Sequence, residues 1–182
     1  MESVSTGRQR IEKWDIARGI LIFLVVLGHF VAYYAEDSQK MQSLFLFIYA
    51  FHMPCFLFID GMFSKKNVDE RRYSRIFSYL VLYFFAKILI ALTQGVINHR
   101  MHFSLLEESG LPWYGLVLFA CSLLTVFLKR FSRRWVLCAS ILLACFVGYD
   151  DSISDFLALS RVIVYFPFFF LGYCTGPVQL AH

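Results

Sequence analysis

The sequence predicts an all-α fold: a polytopic membrane helix bundle of about six transmembrane helices, with its N-terminus in the cytoplasm. Three observations carry that prediction. Of the 182 residues, 59% are apolar or aromatic and only 16% are charged, with a mean hydropathy of +0.62, more apolar surface than a water-soluble domain of this size can hide. The apolar residues fall in continuous runs long enough to cross about 30 Å of hydrocarbon. The lysines and arginines fall between those runs, on alternate connections.

The four longest runs are Ile16 to Tyr34, Leu44 to Met62, Ile76 to Ile97 and Leu111 to Leu128, followed by shorter ones at Trp135 to Tyr149 and Arg161 to Gly176. In lipid every backbone N–H and C=O must be bonded within the protein, so only helices and closed barrels span it. Uninterrupted runs of this length fit helices rather than the short alternating strands of a barrel. Arg8, Arg10 and Lys13 precede the first run. Lys65, Lys66, Arg71, Arg72 and Arg75 separate the second from the third, and Lys129, Arg130, Arg133 and Arg134 separate the fourth from the fifth. The other connections hold only Lys40 and Arg100, and the last holds Asp150, Asp151 and Asp155. The positive-inside rule then puts the N-terminus, and after six crossings the C-terminus, in the cytoplasm. The net charge of +4 is thus an orientation signal. The expected partner is the lipid bilayer of the cell membrane, with anionic headgroups as secondary contacts, and no nucleic acid. Trp113 and Trp135 fall near the expected interfaces, where amphipathic rings are favoured.

The five cysteines, Cys55, Cys121, Cys138, Cys145 and Cys174, lie inside apolar runs and form no CxxC pair. They suggest neither a disulfide framework nor a zinc site, and are expected to be buried small hydrophobes. No metal is expected. The first run has a basic flank but contains Arg18 and His29 and lacks a small-residue cleavage site, which argues against a cleaved signal peptide.

Polar residues within the runs are costly and therefore informative. Arg18 and His29 are eleven residues apart, which on a straight helix means about 16 Å along the axis and roughly 20° around it. They share one face, and Asp15, one turn before Arg18, can join it. A plainer reading pairs Asp15 with Arg18 at the membrane interface and leaves His29 hydrogen-bonded to a neighbouring helix. In the second run, His52 precedes Pro54, which is expected to kink the helix and free a carbonyl in mid-membrane; a purely structural His52 is the alternative. His29 and His52 could face one cavity. Lys87 sits within the third run, to pair across helices or snorkel. Arg161 precedes an expected break at Phe166-Pro167-Phe168 and could meet an anionic substrate group or pair with Asp155. His99 and His102 read as solvated. Phosphate-loop, dinucleotide, zincin and serine-hydrolase motifs are absent from the sequence, which leaves proton transfer by histidine as the candidate chemistry.

Taken together, Asp15-Ile16-Ala17-Arg18-Gly19 with His29, Phe51 through Gly61 with its His52-Met53-Pro54, Pro112-Trp113-Tyr114, and Arg161 through Pro167 to Tyr173 resemble the integral-membrane acyltransferases called acyltransferase family three. The resemblance runs from about residue 10 to 175. It is nearest to the fucose O-acetylase-like branch, which is also similar to the membrane domain of vancomycin-resistance serine racemases. It implies transfer of an acyl group, usually acetyl, from acetyl-CoA to a hydroxyl of an envelope glycan or lipid-linked carbohydrate. It further implies that Arg18 and His29 are essential, with His29 as general base, Arg18 binding phosphate or stabilising negative charge, and Asp15 holding its guanidinium. His52, Arg161 and Trp113 are the expected substrate- or donor-binding residues. Asp60 stands where the family usually has a small polar residue before glycine. Family members are also longer and carry more spans, so residues 1–182 are expected to form one transmembrane acyltransferase-like domain, incomplete at its C-terminus. The rival readings are a non-catalytic transport or scaffold protein for an envelope precursor, or an inactive acyltransferase fragment.

Overall fold

A computed structural model describes residues 3–35, 38–98, 112–149 and 159–179, with side chains at 13–35, 38–93, 112–148 and 159–176. Six helices follow one another among them: α1 (Ser3–Ala35), α2 (Gln39–Asp69), α3 (Tyr73–Asn98), α4 (Trp113–Leu128), α5 (Arg133–Tyr149) and α6 (Leu159–Gln179). Each coincides with one of the apolar runs. Four of them, α1, α2, α3 and α6, contain stretches long and apolar enough to cross a membrane, whereas α4 is apolar but shorter, at 16 residues or about 24 Å. The chain is a multi-pass membrane protein.

The helices outrun the apolar stretches at their basic ends. Helix α2 continues past Met62 to Asp69, so Lys65 and Lys66 are helical, and only Glu70, Arg71 and Arg72 separate it from α3. The backbone explains so tight a connection. Arg71 N–H donates to the Val68 carbonyl at 3.4 Å and Arg72 N–H to the Asn67 carbonyl at 2.8 Å, the paired bonds of a Schellman motif. The residue at the left-handed position is Arg71, with φ 50°, where glycine would be unstrained.

Neither proline breaks its helix. Helix α2 runs through Pro54, and α6 runs through Pro167, correcting the break expected at Phe166-Pro167-Phe168. Neighbouring helices can hold a proline-bearing membrane helix in line at the cost of one backbone bond. The departure from helical geometry comes instead at Gly176 (φ 60°, ψ 162°), where the following Pro177 disfavours helical ψ and glycine tolerates the positive φ.

The chain forms two compact units, Met1–Ile59 and Asp60–His182. In the first, Gly28 of α1 comes close to Ile48 of α2, a Cβ at Gly28 lying 3.5 Å from Ile48 Cγ2. In the second, α3 packs on α4, and both α4 and α5 pack on α6. Apolar side chains give no solvophobic advantage against lipid, so small residues and polar bonds bring such helices together. Gly115 lets α4 approach the α3 backbone: a Cβ there would lie 3.2 Å from the Tyr79 carbonyl oxygen. Gly61, on the last turns of α2, lies against α6 so closely that a Cβ would overlap the Phe169 carbonyl oxygen and sit 2.9 Å from its carbon. Phe169 and Phe170 are completely buried beside this contact.

The cysteines depart in part from expectation. Cys121 is buried and Cys55 and Cys174 are half-buried, but Cys138 and Cys145 are exposed on α5. In a bilayer an outward-facing thiol still meets hydrocarbon, so burial within protein is not required of it.

Two stability effects follow, both measurable by unfolding in detergent micelles. Arg71→Gly relieves the left-handed strain and is expected to stabilise by about 1 kcal/mol, with no gain for Arg71→Ala. Gly61→Ala forces a methyl onto α6 backbone that no side-chain rotation can clear. It should cost about 2–3 kcal/mol or more, whereas Gly19→Ala, with open space around it, should cost nothing measurable.

Candidate functional site

In the first unit, α1 is one unbroken helix from Ser3 to Ala35, so it carries Asp15, Arg18 and His29 at the spacing that puts them along one face. Arg18 is half-buried, while Asp15 and His29 are exposed. His52 of α2 is only 2% exposed. Its Nδ1–H donates to the Ile48 carbonyl one turn earlier, at 2.6 Å, and the Tyr49 ring meets it edge-on at 5.2 Å. A carbonyl can only accept, so this bond fixes the proton on Nδ1 and directs Nε2 away from the helix backbone.

The second unit gathers a polar cluster from three helices that are distant in sequence. Tyr114, on the first turn of α4, donates its hydroxyl to Asp60 Oδ2 of α2 at 2.6 Å. The neighbouring Trp113 stacks on Tyr165 of α6 at 6.0 Å, with ring planes 17° apart. The Arg161 guanidinium lies over the Trp113 ring, 4.9 Å from its centroid. Such an arrangement orients the planar cation against the ring face. Trp113 and Arg161, read separately from the sequence, are thus brought together. Trp113 is buried, at 8% exposure, because it forms the platform of this cluster rather than a membrane-interface anchor; Trp135, at 77% exposure, fits the interface position. Asp155, the alternative partner considered for Arg161, lies outside the described residues, as do Asp150, Asp151, His99, Arg100 and His102. The Lys87 ammonium lies 5.8 Å from the Tyr83 ring on its own helix.

Asp60 lies nine residues before the end of α2, or roughly 14 Å along the axis. That end carries its own polar contacts. Lys129 Nζ donates to the Val68 carbonyl at 2.8 Å and stands 3.9 Å from Asp69, while the Tyr173 hydroxyl donates to Asp69 Oδ1 at 2.6 Å. Asp60 lies within the apolar run that ends at Met62, where an ionisable side chain is expensive and needs a partner. Sequence reading marked Asp60 and Tyr114 but not their pairing, and it missed Tyr165 altogether. A tyrosine one turn into a helix that also begins with an arginine gives no signal beyond that of an ordinary aromatic. Among the described residues, no group of three or more His, Cys, Asp or Glu side chains is arranged to hold a metal ion.

Removing the hydroxyl in Tyr114→Phe takes a donor from a part-buried carboxyl group. Unfolding in micelles should show a loss of about 1–2 kcal/mol. In a double-mutant cycle with Asp60→Ala most of that loss should appear as coupling between the two sites, and additive effects would show that the bond contributes nothing.

Comparison with known proteins bears on what this arrangement serves. The family model Acyl_transf_3, described as an acyltransferase domain, matches residues 11–178, a range that takes in α1 with Arg18 and His29 as well as the α2–α4–α6 cluster. Two curated relatives are both called nodulation protein NolL. The one from Sinorhizobium fredii is 30% identical over 88% of this chain and 47% of its own length. The one from Mesorhizobium japonicum is 29% identical over 88% of this chain and 46% of its own. The chain therefore spans about half the length of the curated relatives it matches. No solved structure matches it. The family model covers nearly the whole chain, and the protein accordingly belongs to the Acyl_transf_3 family of acyltransferases.

Proposed function

We propose that the protein carries out or contributes to O-acyl transfer in the cell membrane, from a cytoplasmic acyl-CoA, with acetyl-CoA the first candidate, to a hydroxyl of an envelope glycan or lipid-linked carbohydrate. The observation that carries the proposal is the family match over residues 11–178, which contains Arg18 and His29 of α1. In this reading six helices cross the membrane with the N-terminus in the cytoplasm, in keeping with the basic residues on alternate connections, and residues 1–182 act as one transmembrane domain. The nearest functional branch is the fucose O-acetylase-like one.

His29 would accept the proton of the acceptor hydroxyl as its oxygen attacks the thioester carbonyl carbon. Collapse of the tetrahedral intermediate breaks the C–S bond, and the proton held by His29 passes to the departing CoA thiolate. The products are the acyl ester and free CoA. Arg18, half-buried one turn beyond Asp15, would hold a donor phosphate or the developing oxyanion with a charge-assisted bond, and Asp15 would orient its guanidinium. Separating Arg18 from His29 by about 16 Å suits a substrate that enters from one side of the membrane and reacts deeper within it. His52 in the first unit and Arg161 with Trp113 in the second are each proposed to bind acceptor or donor.

A rival reading, transport or scaffolding for an envelope precursor, predicts a different result. In proteoliposomes supplied with radiolabelled acetyl-CoA and an envelope glycan, the label should pass to the glycan. His29→Ala should lower the rate by at least about 100-fold, with the protein still folded by unfolding in micelles. Binding or flux of the glycan without label transfer, insensitive to His29→Ala, would favour the transport reading.

A further inference from the structure

Helices α4 and α5 both rest on α6 rather than chiefly on each other, and between them they leave a cavity of about 570 Å³. Leu124 and Leu128 form one wall, Val136 and Leu143 the other, and Val162 and Phe166 of α6 the floor. The surface is almost wholly hydrocarbon. The one hydroxyl on it, that of Ser140, is already bonded to the Leu137 carbonyl at 2.9 Å, so nothing there asks for water or for a polar ligand.

One end of the groove has a different chemistry. It meets the connection between α4 and α5, where Phe131 and Trp135 line it and where Arg130, Arg133 and Arg134 are exposed. None of these three arginines makes an ion pair among the described residues. Lys129 is otherwise engaged with Val68 and Asp69. The groove thus joins a hydrocarbon slot to three exposed guanidinium groups, with the Trp135 indole between them.

Charge decides between the two occupants such a slot could have. An apolar helix would cover the hydrocarbon but would leave the arginines beside it without an anion. An acyl tail is narrow enough to enter, and arginine is well suited to hold the phosphate above it. Basic pockets between membrane helices on the side rich in Lys and Arg take anionic headgroups. We infer that the α4–α5–α6 groove is a binding site for an anionic glycerophospholipid, with one tail between α4 and α5 and its phosphate on Arg130, Arg133 and Arg134. The site is separate from the α2–α4–α6 polar cluster and takes no part in the proposed acyl transfer.

Trp135 is a built-in reporter, since the chain has only three tryptophans. In the Trp14→Phe/Trp113→Phe variant, reconstituted in phosphatidylcholine bilayers, lipid with brominated tails quenches indole fluorescence on contact. Brominated phosphatidylglycerol should reach half-maximal quenching at a mole fraction at least about fivefold below that of brominated phosphatidylcholine. Replacing the three arginines with glutamine should abolish the preference. Because Trp113 belongs to the polar cluster, the wild-type chain provides a second measurement: native mass spectrometry should find phosphatidylglycerol retained in preference to phosphatidylcholine, and not in the triple-glutamine variant. Equal quenching and equal retention of the two lipids would overturn the site. So would a Trp135 that neither lipid quenches, which would mean that polypeptide covers the groove.

Discussion

The second unit depends on the close approach of α2 to α6 at Gly61. Within a bilayer, apolar side chains lose nothing by facing lipid, so helices associate through backbone proximity, dispersion contacts and polar bonds. At Gly61 there is no room even for a methyl group against the Phe169 carbonyl, and Phe169 and Phe170 are fully buried alongside. This contact sets α6 as the element on which α4 and α5 are laid. It also brings Asp69 within reach of Tyr173 at one end. Next to Gly61 in the chain, it helps hold Asp60 where Tyr114 meets it. A single residue without a side chain thereby aligns two charged groups that lipid would otherwise reject.

Those charged groups divide the unit by depth. Toward the basic ends of the helices, Lys129, Asp69 and Tyr173 tie α2, α4 and α6 together where the bilayer gives way to headgroups, and water and lipid phosphates can complete their bonding. Roughly 14 Å farther along α2, within the apolar run, Asp60 accepts the Tyr114 hydroxyl, the kind of partner that an ionisable group among apolar residues needs. The cation–aromatic stack of Arg161, Trp113 and Tyr165 likewise keeps a guanidinium among groups that favour it. The membrane thus selects where polarity can be kept, and the places where it is kept are the candidate sites.

Much of the helix pattern was legible because lipid imposes long, continuous apolar runs on any helix that crosses it. All six helices coincide with such runs, but their ranking does not hold: Leu111 to Leu128, read among the long runs, yields the short α4, whereas Arg161 to Gly176, read as short, lies in α6, which is long and apolar enough to cross. The proline positions read less well. Pro54 and Pro167 are local signals for a break, but whether a break occurs depends on how neighbouring helices brace the chain, and α6 runs straight through Pro167. The short turn after α2 escaped notice for a related reason. Arg71 at the left-handed position has none of the compositional signature of glycine, so the Schellman cap was invisible until the backbone was seen.

The sequence by itself determined that this is a multi-pass helical membrane protein, because hydrophobic run length is a one-dimensional property answered by bilayer thickness. It also singled out Trp113, Arg161 and Asp60, since a polar or oversized residue in such a run stands out without knowledge of its neighbours. Only the tertiary structure decided that Arg161 lies on Trp113, that Asp60 bonds Tyr114, and that His52 turns its Nδ1–H back onto Ile48. The first two of these contacts join residues about fifty positions apart. Helix crossing angle, rotation and depth fix which faces meet, and those quantities arise from the packing of small residues such as Gly61 and Gly115, whose effect is exerted through the side chain they lack.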